Sequence, residues 1–160
     1  MEAGIGPALA IIGGTLALTG GLVGSSIGVG IAGSAGAAAV SEDPKQFRNV
    51  LLLASLPMTQ TFYGLIILLY IITQILPSIQ PLPADEALQK GLMVLGVGLV
   101  AAFAEGFSAA YQGIICSSGI AFLPKTKGLN IGSSIILAVY AELFGILGMV
   151  FAILTLILVI

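Results

Sequence analysis

The chain has 160 residues, 58% of them hydrophobic and 8% charged, with a mean hydropathy of +1.17, far more apolar than a soluble domain and suited to a bilayer. A net charge of −2 with only five basic residues excludes a basic surface for nucleic acid and an acidic tail. One cysteine, Cys116, and no histidine exclude an internal disulfide framework, a Cys/His zinc site and histidine-based catalysis.

A spanning helix needs about 20 mostly apolar residues. Four such runs follow in order, near 5–40, 50–76, 87–123 and 131–160. The N-terminal stretch MEAGIGPALAIIGG has no basic region before its apolar run, so the first helix is expected to stay in the mature protein. The runs are too long for barrel strands and lack period-two alternation. The expected fold is an all-α membrane protein, one four-helix domain over residues 1–160 made of two tandem repeated hairpins, 5–76 and 87–160. The connections SEDPKQFRN, PSIQPLPADE and KTKGLN carry charge or proline and mark the membrane surface.

The first helix carries Gly20, Gly24, Gly28, Gly30, Gly33 and Gly36; the third carries Gly106, Ala110, Gly113 and Gly119. Small residues at these spacings let helix backbones approach closely in lipid, so helices one and three are expected to form a tight layer. The second and fourth, rich in Leu, Ile and Phe, are expected to meet lipid. Laid on the first hairpin, the second aligns Leu143-Phe144-Gly145 with Phe62-Tyr63-Gly64 and sets Glu142 on Thr61. Lys45 and Arg48 lie in the first loop, Lys125 and Lys127 in the third, and only Lys90 lies near the second. The excess of basic residues places loops 41–49 and 124–130 in the cytoplasm and both termini opposite.

Two carboxylates, Glu105 and Glu142, fall inside apolar runs, where ionisable groups are rare and usually functional. Counting inward at ~1.5 Å per residue, Gln60, Gln112 and Glu142 lie at one depth on three helices. Gly28 and Gly30 reach that depth on the first helix and allow close approach without supplying a ligand. Leu56, Thr59, Gln60 and Tyr63 share one helical face that includes Pro57. An interior proline frees nearby carbonyls to turn toward a cation. A carboxylate, a hydroxyl, two amide oxygens and a carbonyl are hard donors that replace the water of an alkali cation, and they favour Na+ over H+. Taken singly, Thr59 or Gln112 could be a hydrogen-bonding contact between helices. Tyr63 could donate to Glu142 or simply pack. Glu105 shares the face of Gln112 but lies ~10 Å farther from the cytoplasmic side. It is expected either to be protonated and donate to a carbonyl or to serve as a second ion or proton station. Cys116 reads as a small buried hydrophobe.

The stretches GSSIGVGIAGSAGAAAVSEDPKQF, LPMTQTFYG, Gln112-Gly113 and AELFGILG resemble, nearly end to end, the four-helix rotor proteolipids of V-type ATPases, and among them the bacterial sodium-pumping subunit K branch. The resemblance implies a homo-oligomeric rotor ring with the first and third helices inside and the second and fourth outside. It implies a site for one Na+ formed by Glu142, Gln112, Thr59, Gln60 and the Leu56 carbonyl, with Tyr63 bonded to Glu142. Stator and central-stalk subunits are the implied partners, and ATP hydrolysis would occur on other subunits, since the chain has no GxxxxGK[ST]. Glu105 departs from the family pattern. A proton-carrying rotor, a small secondary transporter with a midplane site and a purely structural four-span protein are the alternatives.

Overall fold

The computed structural model describes residues 4–159, so the start of the N-terminal stretch and Ile160 lie outside the described residues. Four helices follow the four apolar runs: α1 (Ile5–Glu42), α2 (Pro44–Ile79), α3 (Ala84–Ala121) and α4 (Ile131–Val159). All four are long and apolar enough to cross a membrane. Glycine is a poor helix former in water, by about 1 kcal/mol against alanine. In a bilayer every backbone group must be satisfied within the segment, so the glycine-rich α1 remains helical over 38 residues.

The connections are tighter than the charged stretches suggest. Most of SEDPKQFRN is helical, and the chain leaves helical geometry only at Asp43 (φ −136°, ψ 96°), whose extended backbone is what the following Pro44 demands. Asp43 caps the next turn by accepting from the Lys45 backbone (3.1 Å) and Gln46 Nε2 (3.0 Å). Those two bonds, the Gln46 one foremost, hold its carboxyl below the usual range. Pro77–Ile79 also belongs to α2, leaving 80–83 as the turn into α3. Asp85 and Glu86 lie in the first turn of α3, where the helix dipole favours acids. Between α3 and α4 a helical turn, Leu123–Thr126, ends in two left-handed residues, Lys127 (φ 50°) and Gly128 (φ 84°). A side chain on Gly128 would also strike Asn49 and Gln46 of α2. Asn130 then ties the start of α4 to α3 by donating to the Gly119 carbonyl at 2.8 Å.

Helix α2 is continuous but irregular. A 3-10 turn at Leu56–Met58 contains Pro57, and a π turn at Ile71–Ile75 runs up to the segment that contains Pro77. Proline lacks a donor and crowds the turn before it, and these local changes of winding absorb it without breaking the helix.

The two hairpins stand side by side, with α1 and α3 parallel and in backbone contact. A Cβ on Gly20 would lie 2.2 Å from the Ala102 carbonyl, and one on Gly113 would lie 2.2 Å from Gly28 Cα. Gly6, Gly13 and Gly24 make the same kind of approach to Ala87, Val94 and Gly106. The stripe therefore starts earlier in α1 than the glycines from Gly20 onward indicate. It excludes Gly30 and Gly33, which face open space, because they fall on the other side of α1 from Gly24, Gly28 and Ala32. Gly36 packs on Val50 of α2, and Gly119 on Ser134 of α4. Helix α2 packs on α1 through Gly14, Gly21 and Gly64, and α4 lies against α3. Two apolar clusters fill the ends of the bundle. One is built on Ile67, Ile71, Val94 and Leu156, the other on Leu53, Cys116, Ile120 and Leu123. Between them lies a polar layer.

Candidate ion site in the polar layer

Gln60, Ser108, Gln112 and Glu105 are buried in this layer; Thr59, Tyr63 and Glu142 are half-buried at its outer edge. Each helix places its part for a local reason. The 3-10 turn at Pro57 aims the Leu56 carbonyl and the Thr59 hydroxyl at each other (3.2 Å), and Thr59 Oγ1 also lies 3.1 Å from Gln60 Oε1. One turn later Tyr63 points the same way and donates to Glu142 Oε1 at 3.0 Å. Gln60 reaches α3, donating to Gln112 Oε1 (3.0 Å) and Ser108 Oγ (3.0 Å). Gln112 passes the chain to α4 by donating to Glu142 Oε2 at 3.3 Å. Ser108 closes the layer by donating to the Ala141 carbonyl at 2.8 Å.

Leu56, Thr59, Gln60, Tyr63, Gln112 and Glu142 are thus joined in one network across three helices. Tyr63 takes the bonding alternative rather than the packing one. The Glu142 carboxylate is held by two donors, one on each oxygen. Gln112 turns Nε2 to the carboxylate and Oε1 to Gln60 Nε2, while the Leu56 carbonyl, Thr59 Oγ1 and Gln60 Oε1 stand together, so the layer holds a carboxylate, a hydroxyl, two amides and a carbonyl. That donor set suits a hard monovalent cation. Among the described residues no three His, Cys, Asp or Glu side chains cluster, so a transition-metal site has no basis here.

Ser108 was not among the residues picked out from sequence. Its signal was present, since it lies four residues before Gln112 on the same face of α3. At this level Gly28 does allow close approach, against Pro57 and Ala109, whereas Gly30 does not. Thr61, the counterpart of Glu142 in the first hairpin, donates to the Gly21 carbonyl of α1 at 3.3 Å. Glu105 makes no bond to a carbonyl: it is fully buried and neither oxygen has a hydrogen-bond partner. Its side chain runs toward Gly145 and Gly148 of α4.

Comparison with known proteins agrees with this architecture. The family model for the C subunit of ATP synthase matches residues 12–80 and again 95–155, one match in each hairpin. The chain is 37% identical over 128 residues to the V-type sodium ATPase subunit K of Enterococcus hirae, covering 80% of this chain and 77% of that protein. It is 34% identical over 143 residues to the A-type ATP synthase subunit K of Methanocaldococcus jannaschii, covering 89% of this chain and 61% of that protein.

Proposed function

The chain belongs to the family of the ATP synthase C subunit, and from that premise we propose that it is a subunit of the rotor ring of a V- or A-type ATPase, binding one Na+ at Glu142 and carrying it across the membrane as the ring turns. It is a multi-pass membrane protein with four spans. Glu142, Gln112, Gln60, Thr59 and the Leu56 carbonyl are the proposed ligands, with Tyr63 holding the carboxylate. The observation that carries the reading is the bonded network that brings these residues from α2, α3 and α4 to one level around Glu142.

The mechanism follows from the cost of charge in lipid. A bare carboxylate at mid-membrane costs about 2.5–3.5 kcal/mol on insertion scales, so an empty Glu142 does not leave an aqueous or protein contact. With a bound cation the site is neutral and passes through lipid, so occupancy gates rotation. Release needs a positive group to take the cation's place. The chain's five basic residues, Lys45, Arg48, Lys90, Lys125 and Lys127, all lie toward helix ends, so a stator subunit supplies that charge. Nucleotide hydrolysis belongs to other subunits of the complex. The loops around 41–49 and 124–130 face the cytoplasm and the central stalk in this reading.

Carbodiimide modifies a protonated Glu142 and not one that holds Na+. Labelling of the purified ring at fixed pH is expected to fall as Na+ is added. Labelling indifferent to Na+ would transfer the cargo to protons and leave the rotor assignment intact.

A further inference from the structure

We propose that Ser108 is a positioning residue for the cation: its hydroxyl, tied to the Ala141 carbonyl, holds the Gln60 amide with Nε2 turned away from the ion pocket and Oε1 turned into it. The inference rests on the Na+ reading above and adds a residue that binds no ion itself.

The first observation is where Ser108 gives its proton. Of the three serines of α3, Ser117 and Ser118 donate to the Ile114 carbonyl of their own helix, as helical serines ordinarily do. Ser108 instead crosses to α4 and donates to the Ala141 carbonyl at 2.8 Å. A backbone carbonyl can only accept, so chemistry fixes the direction of this bond. With its one hydrogen committed, the Ser108 oxygen can then only accept in turn.

That polarity passes to Gln60. Its Nε2 lies 3.0 Å from Ser108 Oγ and 3.0 Å from Gln112 Oε1, so both amide hydrogens are engaged. Turning the amide over would set Oε1 against a Ser108 oxygen with no hydrogen to give. Gln60 Oε1 is thereby left facing Thr59 Oγ1 at 3.1 Å, which also lies 3.2 Å from the Leu56 carbonyl. Three oxygens meet there with one hydrogen, that of Thr59, among them. Such a cluster of lone pairs attracts a hard cation, whereas an inverted amide would fill it with its own hydrogens.

The fold makes room for the clamp. Gly145, one turn after Ala141 on α4, faces both partners: a Cβ there would stand 3.0 Å from Ser108 Oγ and 3.1 Å from Gln60 Cγ. Ser108 and Gln60 are both buried, which shields their bond from bulk water.

The test reads Na+ affinity on the purified ring, as the Na+ concentration that protects half of Glu142 from carbodiimide. Ser108→Val, which has the shape of threonine without the hydroxyl, is expected to raise that concentration about tenfold. Ser108→Thr, which keeps the hydroxyl, is expected to hold the wild-type value. Because Ser108 acts through Gln60, Ser108→Val is expected to add nothing in a Gln60→Met ring, where a merely structural serine would cost the same as before. A high-resolution map of the Na+-loaded wild-type ring is expected to show Gln60 Oε1 on the ion and Ser108 Oγ bonded to Gln60 Nε2. Ser108 Oγ on the ion overturns the proposal, and this arm needs no variant. An assembled Ser108→Val ring with wild-type affinity overturns it as well, as does a Ser108→Val effect that persists undiminished in Gln60→Met. Failure of the Na+ reading looks different: wild-type labelling is then indifferent to Na+, and both readings fall. Failure of this inference alone leaves Na+ protection in the wild type and unaltered by Ser108→Val.

Discussion

Glu142 is held by a phenol on one oxygen and an amide on the other, so each donor can be removed separately. A hydrogen bond to a charged group contributes about 1.5–3 kcal/mol. Tyr63→Phe is therefore expected to weaken Na+ binding about tenfold or more, read as the Na+ concentration that protects half of Glu142 from carbodiimide. Glu142→Gln is expected to abolish ATP-driven ion transport while the ring still assembles; normal transport would remove the carrier mechanism. These residues could be found by counting depth along helices, because helical rise is constant and in-membrane polar groups are few. Ser108 escaped that count, since a serine in a helix is ordinarily bonded to its own backbone. Glu105 was visible as a buried acid, but its lack of any partner depends on how α3 and α4 are rotated against each other. No spacing within one helix encodes that rotation.

At the scale of the element, the backbone contact between α1 and α3 is the most demanding feature. Gly113→Ala places a methyl 2.2 Å from Gly28 Cα, where only main-chain movement can make room. Its expected cost is about 3 kcal/mol, the upper end for overpacking, seen as a lowered melting temperature of the detergent-solubilised ring. Gly30→Ala, in open space, is expected to stay within about 0.5 kcal/mol of the wild type. Asp43 adds a pH term at the α1–α2 junction. Its carboxyl is lowered on folding, so its contribution is fully present above the ordinary carboxylate value near 3.8 and disappears as pH falls through the lowered folded value. Asp43→Asn is expected to remove the acid-side part of the melting-temperature profile that this group causes. The four spans were legible from hydropathy, which reports length and polarity directly. Their ends were less so, because Pro44 and Pro77 read as loop residues in sequence, yet one starts α2 and the other is taken up within it. The glycine stripe is legible in the right helices but only partly on the right residues, since Gly30 and Gly33 are small but lie on the other side of α1 from Gly24 and Gly28.

For the whole molecule, the exterior is nearly continuous hydrocarbon: Phe62, Leu69, Phe103, Phe107, Tyr140, Phe144 and Phe151 are all exposed on the protomer. A surface of this kind is covered by lipid or by further copies of the chain. The single thiol lies on the opposite side of this division, since Cys116 is completely buried among Leu53, Ile120 and Ala138. A maleimide is expected to leave the folded ring unmodified and to label every chain once detergent denatures it; labelling of the native ring would mean that the cluster around Cys116 opens.

The main-chain contact of α1 with α3 also has a mechanical meaning. Side chains are the soft part of a helix interface, since they change rotamer, and α1 and α3 have almost none between them along the glycine stripe from Gly6 to Gly28. The pair behaves as one stiff strut, while α2, with its 3-10 and π turns, and α4, resting on α3 through side chains, retain elastic give. In the proposed ring, force applied at Glu142 would be taken up first by the compliant α2 and α4 and then passed to the stiff α1–α3 pair.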